Sequence, residues 1–180
     1  MNRFLILLLA AFALFCGPAD AADHFARANS YLRFEANRIR LEGTRISGEA
    51  ERIRAEAGVL DKTAEKLRTE ASHLDDLWVM ANRLNPVRYG DYEGRDRSQQ
   101  IMRSDADRNV SGAASLQREG HRLDDESSRL MQLAAEVDAQ RHKLWLDKFK
   151  CCEPKTSQLL REKIVALARV IGARYEPSQP

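Results

Sequence analysis

Aromatic residues are only 7% of the 180 positions, too few for the packed core of an ordinary sheet protein. The three cysteines never form a Cys-x-x-Cys pair, no glycine-rich loop precedes a helix, and no serine sits in a nucleophile-elbow context. The common sequence signatures of redox, nucleotide-binding and hydrolytic chemistry are therefore missing. Charge of one sign is also lacking: 29 basic against 27 acidic residues leave a net +2, with the signs interleaved, which is no nucleic-acid footprint. The one long apolar run, Phe4 to Phe15, is too short to span a bilayer.

That run follows Arg3 and precedes Ala19-Asp20-Ala21, which puts small residues at −3 and −1 of a cleavage site. Residues 1–21 read as a secretory signal peptide, cut after Ala21, with a bacterial periplasm or the exterior as the destination. Phe15 stands where a lipoprotein needs a small residue before Cys16. Cleavage removes Arg3 and Asp20, giving 28 basic and 26 acidic residues and the same net charge. No membrane contact is expected afterwards.

What the sequence does have is a seven-residue period. Phe25, Leu32, Ile39, Ile46, Ile53, Leu60, Leu67, Leu74 and Ala81 form one row, and Ala36, Gly43, Ala50, Ala57, Ala64, Ala71 and Trp78 form a second. Large residues at d and small ones at a over about eight heptads predict a coiled-coil helix roughly 85 Å long. Asn85-Pro86 ends it, and Pro86, Gly90, Asp91 and Gly94 mark a loop over 85–96, with Asp96 placed to cap the next helix. The period then returns: Met102, Asn109, Leu116, Leu123, Leu130, Val137 and Leu144 in the large row, Ala106, Ala113, Gly120, Ser127 and Ala134 in the small one.

Two such helices, about 24–84 and 97–151, predict an all-α fold: an antiparallel hairpin over residues 22–153. Folding the chain about Gly90 sets large residues beside small ones, Leu60 by Gly120 and Leu67 by Ala113. The same register pairs Arg40 with Asp138, Arg54 with Asp124, and Arg33 with Trp145. The opposite flank is acidic, with Glu35, Glu42, Glu49, Glu56 and Glu70 on the first helix and Glu119, Glu126 and Asp147 on the second.

A basic neighbour for that flank follows Pro154. Residues 154–175 form a short amphipathic helix with Leu160, Ile164, Leu167, Ala168 and Ile171 on one face. Tyr31, Phe34, Leu41, Trp145, Leu146 and Phe149 are the off-seam apolar residues within its reach. A three-helix base and a two-helix arm result. Residues 176–180 read as a disordered tail.

Candidate sites are few. Trp78, Met80, Tyr89 and Tyr92 gather at the loop end, where aromatics and methionine suit a protein partner as well as a cluster that closes the turn. Cys151 and Cys152 are adjacent, so a bond between two chains, which would make a homo-oligomer, is sterically easier than one between neighbours; the alternative is two unpaired structural thiols. Glu70-Ala71-Ser72-His73 matches one unit of a di-metal bundle, but its His73 points away from the seam and no second unit exists. His121 near Asp124 and Asp125 also faces outward. No metal, cofactor or catalytic residue is expected.

In shape alone, an exported helical hairpin with a thicker base resembles periplasmic holdase chaperones and minor components of secretion or conjugation machines. The expected role is an interaction or scaffold component of the cell envelope with a protein partner; the alternative is a periplasmic holdase.

Overall fold

The computed structural model describes residues 18–84, 89–146 and 156–180, and side chains over 22–84, 93–145 and 156–180. They form three helices and no strand: α1 (Pro18–Leu84), α2 (Tyr89–Leu146) and α3 (Thr156–Ile171). The two long helices pack against each other, as the repeated rows of apolar residues require. Pro18 opens α1 at a position where a missing amide costs nothing. Residues 1–17, which hold most of the expected signal peptide, lie outside the described residues, as do Cys151 and Cys152.

The chain divides into two compact units, Met1–Ile46 with Asp125–Pro180 and Ser47–Asp124. In the second unit, which is two helices thick, the buried side chains among the described residues are those of the small row, Ala50, Ala57, Ala64, Ala71, Ala106 and Ala113, together with Gln99. The large row, Ile53, Leu60, Leu67 and Leu74, is half-buried. Here the structure corrects the expected pairing. A Cβ on Gly120 would lie 3.6 Å from the Ala50 carbonyl oxygen, and a Cβ on Gly112, not Gly120, would meet Leu60 at 3.2 Å. Across the same seam, Gln99 Nε2 donates to the Ala71 carbonyl at 3.2 Å.

Ala50 with Gly120 and Ala71 with Gln99 both have numbers adding to 170, a register that sets Ala57 by Ala113 and Ala64 by Ala106, so small residues face small residues in every layer but that of Gln99. The physical reason is backbone approach: with no bulk on either side, the helices close until side chains reach the opposite main chain. The large residues are displaced to the edges of the seam. The flanking charges nevertheless match the expected register. Arg54 donates to Asp124 as expected, Gln117 donates to Asp61 at 3.3 Å in the same register, and Arg68 donates to Asp107 at 3.0 Å outside it. These groups are exposed, so each pair contributes only about 0.2–1 kcal/mol.

The expected loop over 85–96 is also too long, since α2 begins at Tyr89. Glycine in a helix interior costs about 0.5–1 kcal/mol, which is why Gly90 and Gly94 read as breakers. Contacts from α1 outweigh that cost: Arg95 reaches Asp75 at 3.8 Å and stacks over Trp78 at 5.0 Å, and Gln99 holds Ala71. Asp96 is inside the helix and not its cap; it accepts from Arg95 at 3.1 Å.

The other unit is three helices thick, and its burial differs accordingly. Leu32, Ile39, Leu130, Leu133, Val137 and Ile164 are all at most 1% exposed. A fully buried side chain of this kind contributes about 1.5–3 kcal/mol, so this core is much the richer of the two. Ser127 Oγ donates to the Gly43 carbonyl at 2.9 Å, another small-on-small layer, and Arg40 donates to Asp138.

α3 supplies Ile164 and Ala168 to this core. Of the apolar residues expected within its reach, Tyr31 is buried, whereas Phe34, Leu41 and Trp145 remain 57%, 72% and 57% exposed. Glu35 and Leu133 are buried with Tyr31, which places the covered surface on the acidic flank. The helix ends in a Schellman cap: Gly172, at φ +74°, bonds back to Arg169, and Ala173 N–H reaches the Ala168 carbonyl at 2.9 Å.

Candidate functional site

Glu35 is the most buried ionisable residue described, with no exposure at all. A carboxylate removed from water costs several kcal/mol unless its lone pairs are satisfied. They are satisfied from the far end of the chain. Tyr175 Oη donates to Oε2 at 2.6 Å, Ser178 N–H donates to Oε1 at 3.1 Å, and Ser178 Oγ donates to Oε1 as well. The Arg38 guanidinium stands 3.6 Å from Oε1.

The segment that follows Gly172 is thus a strap, correcting the expectation of a disordered tail over 176–180. Its carbonyls are held in sequence. Arg129 donates to Gly172 at 3.3 Å, Arg38 to Glu176 at 3.2 Å, Arg161 to Pro177 at 3.5 Å, and Tyr31 Oη to Ser178 at 3.0 Å. The Arg174 amide donates to Glu126 at 3.0 Å, and Arg38 lies over the Tyr175 ring at 5.3 Å. Pro177 is the buried residue of the strap. The acidic flank does attract the C-terminal region, but through hydroxyls and amides.

Burial, and then the negative charge of Glu35, push the Tyr31 phenol up to about 12 from 10.0. Burial followed by the bond to Glu35 raises Tyr175 further. A raised folded-state value means that the neutral phenols favour the fold. Their contribution is complete below pH 10 and is lost as pH rises from there through about 12. Tyrosinate absorbance in an alkaline titration should show a late phase that disappears in Tyr31→Phe and Tyr175→Phe. Ionisation of all four tyrosines around pH 10 would contradict this arrangement.

The expected partner-binding residues are only partly brought together. Trp78 is half-buried and occupied by Arg95, which is itself fixed by Asp75 and Asp96. Met80 is 62% exposed, and around it Leu77, Val79 and Leu84 are 61%, 51% and 85% exposed. Leu77, Met80 and Leu84 fall at i, i+3 and i+7, one face of the last turns of α1. Tyr89 and Tyr92 belong to the first turn of α2, and their side chains lie outside the described ones.

The described residues include two open clefts. One, along α2, is lined by polar residues including Gln99, Gln100, Arg103 and Asp107. The other runs beside the strap between Arg38, Leu41, Arg45 and Arg174. Among the described residues no three His, Cys, Asp or Glu side chains come together as metal ligands, and no helix is long and apolar enough to cross a membrane. Sequence reasoning missed Glu35 as a site. Its one local signal is Tyr31 a turn before it and Arg38 a turn after. Comparison with protein-family models, curated proteins and solved structures finds no match.

Proposed function

We propose that this is an exported, non-catalytic interaction protein of the cell envelope, which binds a protein partner through the end of α1. A subunit of a secretion or conjugation machine is one such role. The observation that carries the reading is the exposed apolar face Leu77, Met80 and Leu84, which with Val79 gathers four of the exposed large apolar residues of α1 into its last two turns, whereas Phe34, Leu41 and Val59 are spread along the rest of the helix. Apolar anchors at i, i+3 and i+7 are the pattern by which a helix enters a groove on another protein. Large side chains of this type are costly to leave in water without such a use.

The test is cross-linking in cell-envelope fractions with a photoreactive residue at position 81. One or two defined adducts are expected, lost at least tenfold in Leu77→Asp and Leu84→Asp chains of unchanged helicity. Many unfolded client proteins, captured equally by the variants, would support the holdase alternative and overturn this reading.

A further inference from the structure

The strap reaches Glu35 almost entirely through polar groups. Of its residues from Ala173 onward, only Pro177 is buried, whereas α3 itself is anchored by Ile164 and Ala168. Releasing the strap uncovers Pro177 and the rings of Tyr31 and Tyr175 but leaves the Ile164 and Ala168 anchors in place, and each broken bond is replaced by one to water. The break point is built in as well. Gly172 turns the chain at a positive φ directly after the helix cap, so the strap can pivot there while α3 stays docked. The stretch from Ala173 to Ser178, at about 3.3 Å for each residue, reaches roughly 20 Å when extended.

The cleft that would be vacated has defined chemistry. It presents the Glu35 carboxylate, the Tyr31 hydroxyl and the Arg38 and Arg161 guanidiniums. These groups select a tyrosine hydroxyl and, three residues later, a serine with its own amide, joined by free backbone carbonyls. We propose that this cleft is a peptide-binding site for the Tyr175–Ser178 segment, and that it takes that segment from a second copy of the chain as well as from its own. Strap exchange between two copies conserves every bond of the closed form, so the reach of the strap and the concentration of the chain set how much exchange occurs.

Two complementary full-length variants test it. Tyr175→Ala with Ser178→Ala keeps the cleft and spoils the strap; Glu35→Ala keeps the strap and spoils the cleft. Circular dichroism first establishes that both are as helical as the parent. Sedimentation of the mixture should then show a one-to-one complex that neither variant forms alone. A fluorescent peptide of residues 173–180 should bind the strap variant at least tenfold more tightly than the parent chain, whose own strap competes, and should not bind Glu35→Ala. Absence of the mixed complex overturns the proposal, whether or not the free peptide binds. Equal peptide binding to the strap variant and to Glu35→Ala overturns it too, because Glu35 would then not be the receptor.

Discussion

Ala57→Leu should destabilise the protein by about 1–3 kcal/mol, because the seam of the two-helix unit has no room for it. Ala57 is 1% exposed, and the register that joins Ala50 to Gly120 and Ala71 to Gln99 sets Ala57 against Ala113, also 1% exposed. Leucine there must push the helices apart or take a strained rotamer. Moving the helices apart would also lengthen the Gln99 bond to the Ala71 carbonyl. The same substitution at Ala55, which is exposed, should change stability by less than about 0.5 kcal/mol. Chemical denaturation of the two variants decides: equal midpoints would mean that the small row is not the contact surface.

Leu133→Ala should be more damaging, at about 2–5 kcal/mol, since it leaves a cavity in the three-helix core. Leu133 is 0% exposed, although it lies outside the two heptad rows and would face solvent in a simple hairpin. Its burial comes from the third helix, so this residue reports on the docking of α3. Leu159→Ala, on the 56% exposed face of α3, is the matched control and should be nearly silent. If both variants unfold at the parent's denaturant concentration, α3 does not close this core.

The sequence made the helices and their charges legible, and the reason is period. Seven-residue spacing places one face on a partner whatever that partner is, so α1, α2 and the contacts of Arg40 with Asp138 and Arg54 with Asp124 could be read from it. The seam layers were read wrongly because spacing does not say how near two backbones come. Large-on-small packing suits helices at ordinary separation; glycine and alanine on both sides allow a closer solution in which the leucines move outward. The start of α2 was missed for a related reason, since the local cost of Gly90 and Gly94 is visible in the sequence and the contacts of Arg95 are not.

The Glu35 site was the least legible feature. Its donors stand 140 and 143 residues away, in a stretch of Tyr, Glu, Pro, Ser and Gln whose composition alone reads as solvated. Hydrogen bonds leave no periodic trace, so nothing repeated along the chain could reveal them. The exposed face at Leu77, Met80 and Leu84 was half visible: Met80 was singled out by type, whereas Leu77 and Leu84, on the flank that is acidic in earlier heptads, were passed over although they lie outside both rows.

The small-on-small layers also make the length of the hairpin a modular quantity. Each layer takes one residue from α1 and one from α2, seven apart from the next on both helices, so layers are interchangeable in position though not in sequence. Removing residues 58–64 and 106–112 together would delete the Ala64 and Ala106 layer and leave Ala57 with Ala113 beside Ala71 with Gln99, every remaining pair in step. A deletion of seven from one helix alone keeps small against small but shifts every pair beyond it by a heptad, so flanking pairs such as Arg68 with Asp107 are lost. Related hairpins that differ in reach are therefore expected to differ by matched multiples of seven on both sides of the turn, a rule by which divergent relatives can be aligned where residue identities have faded.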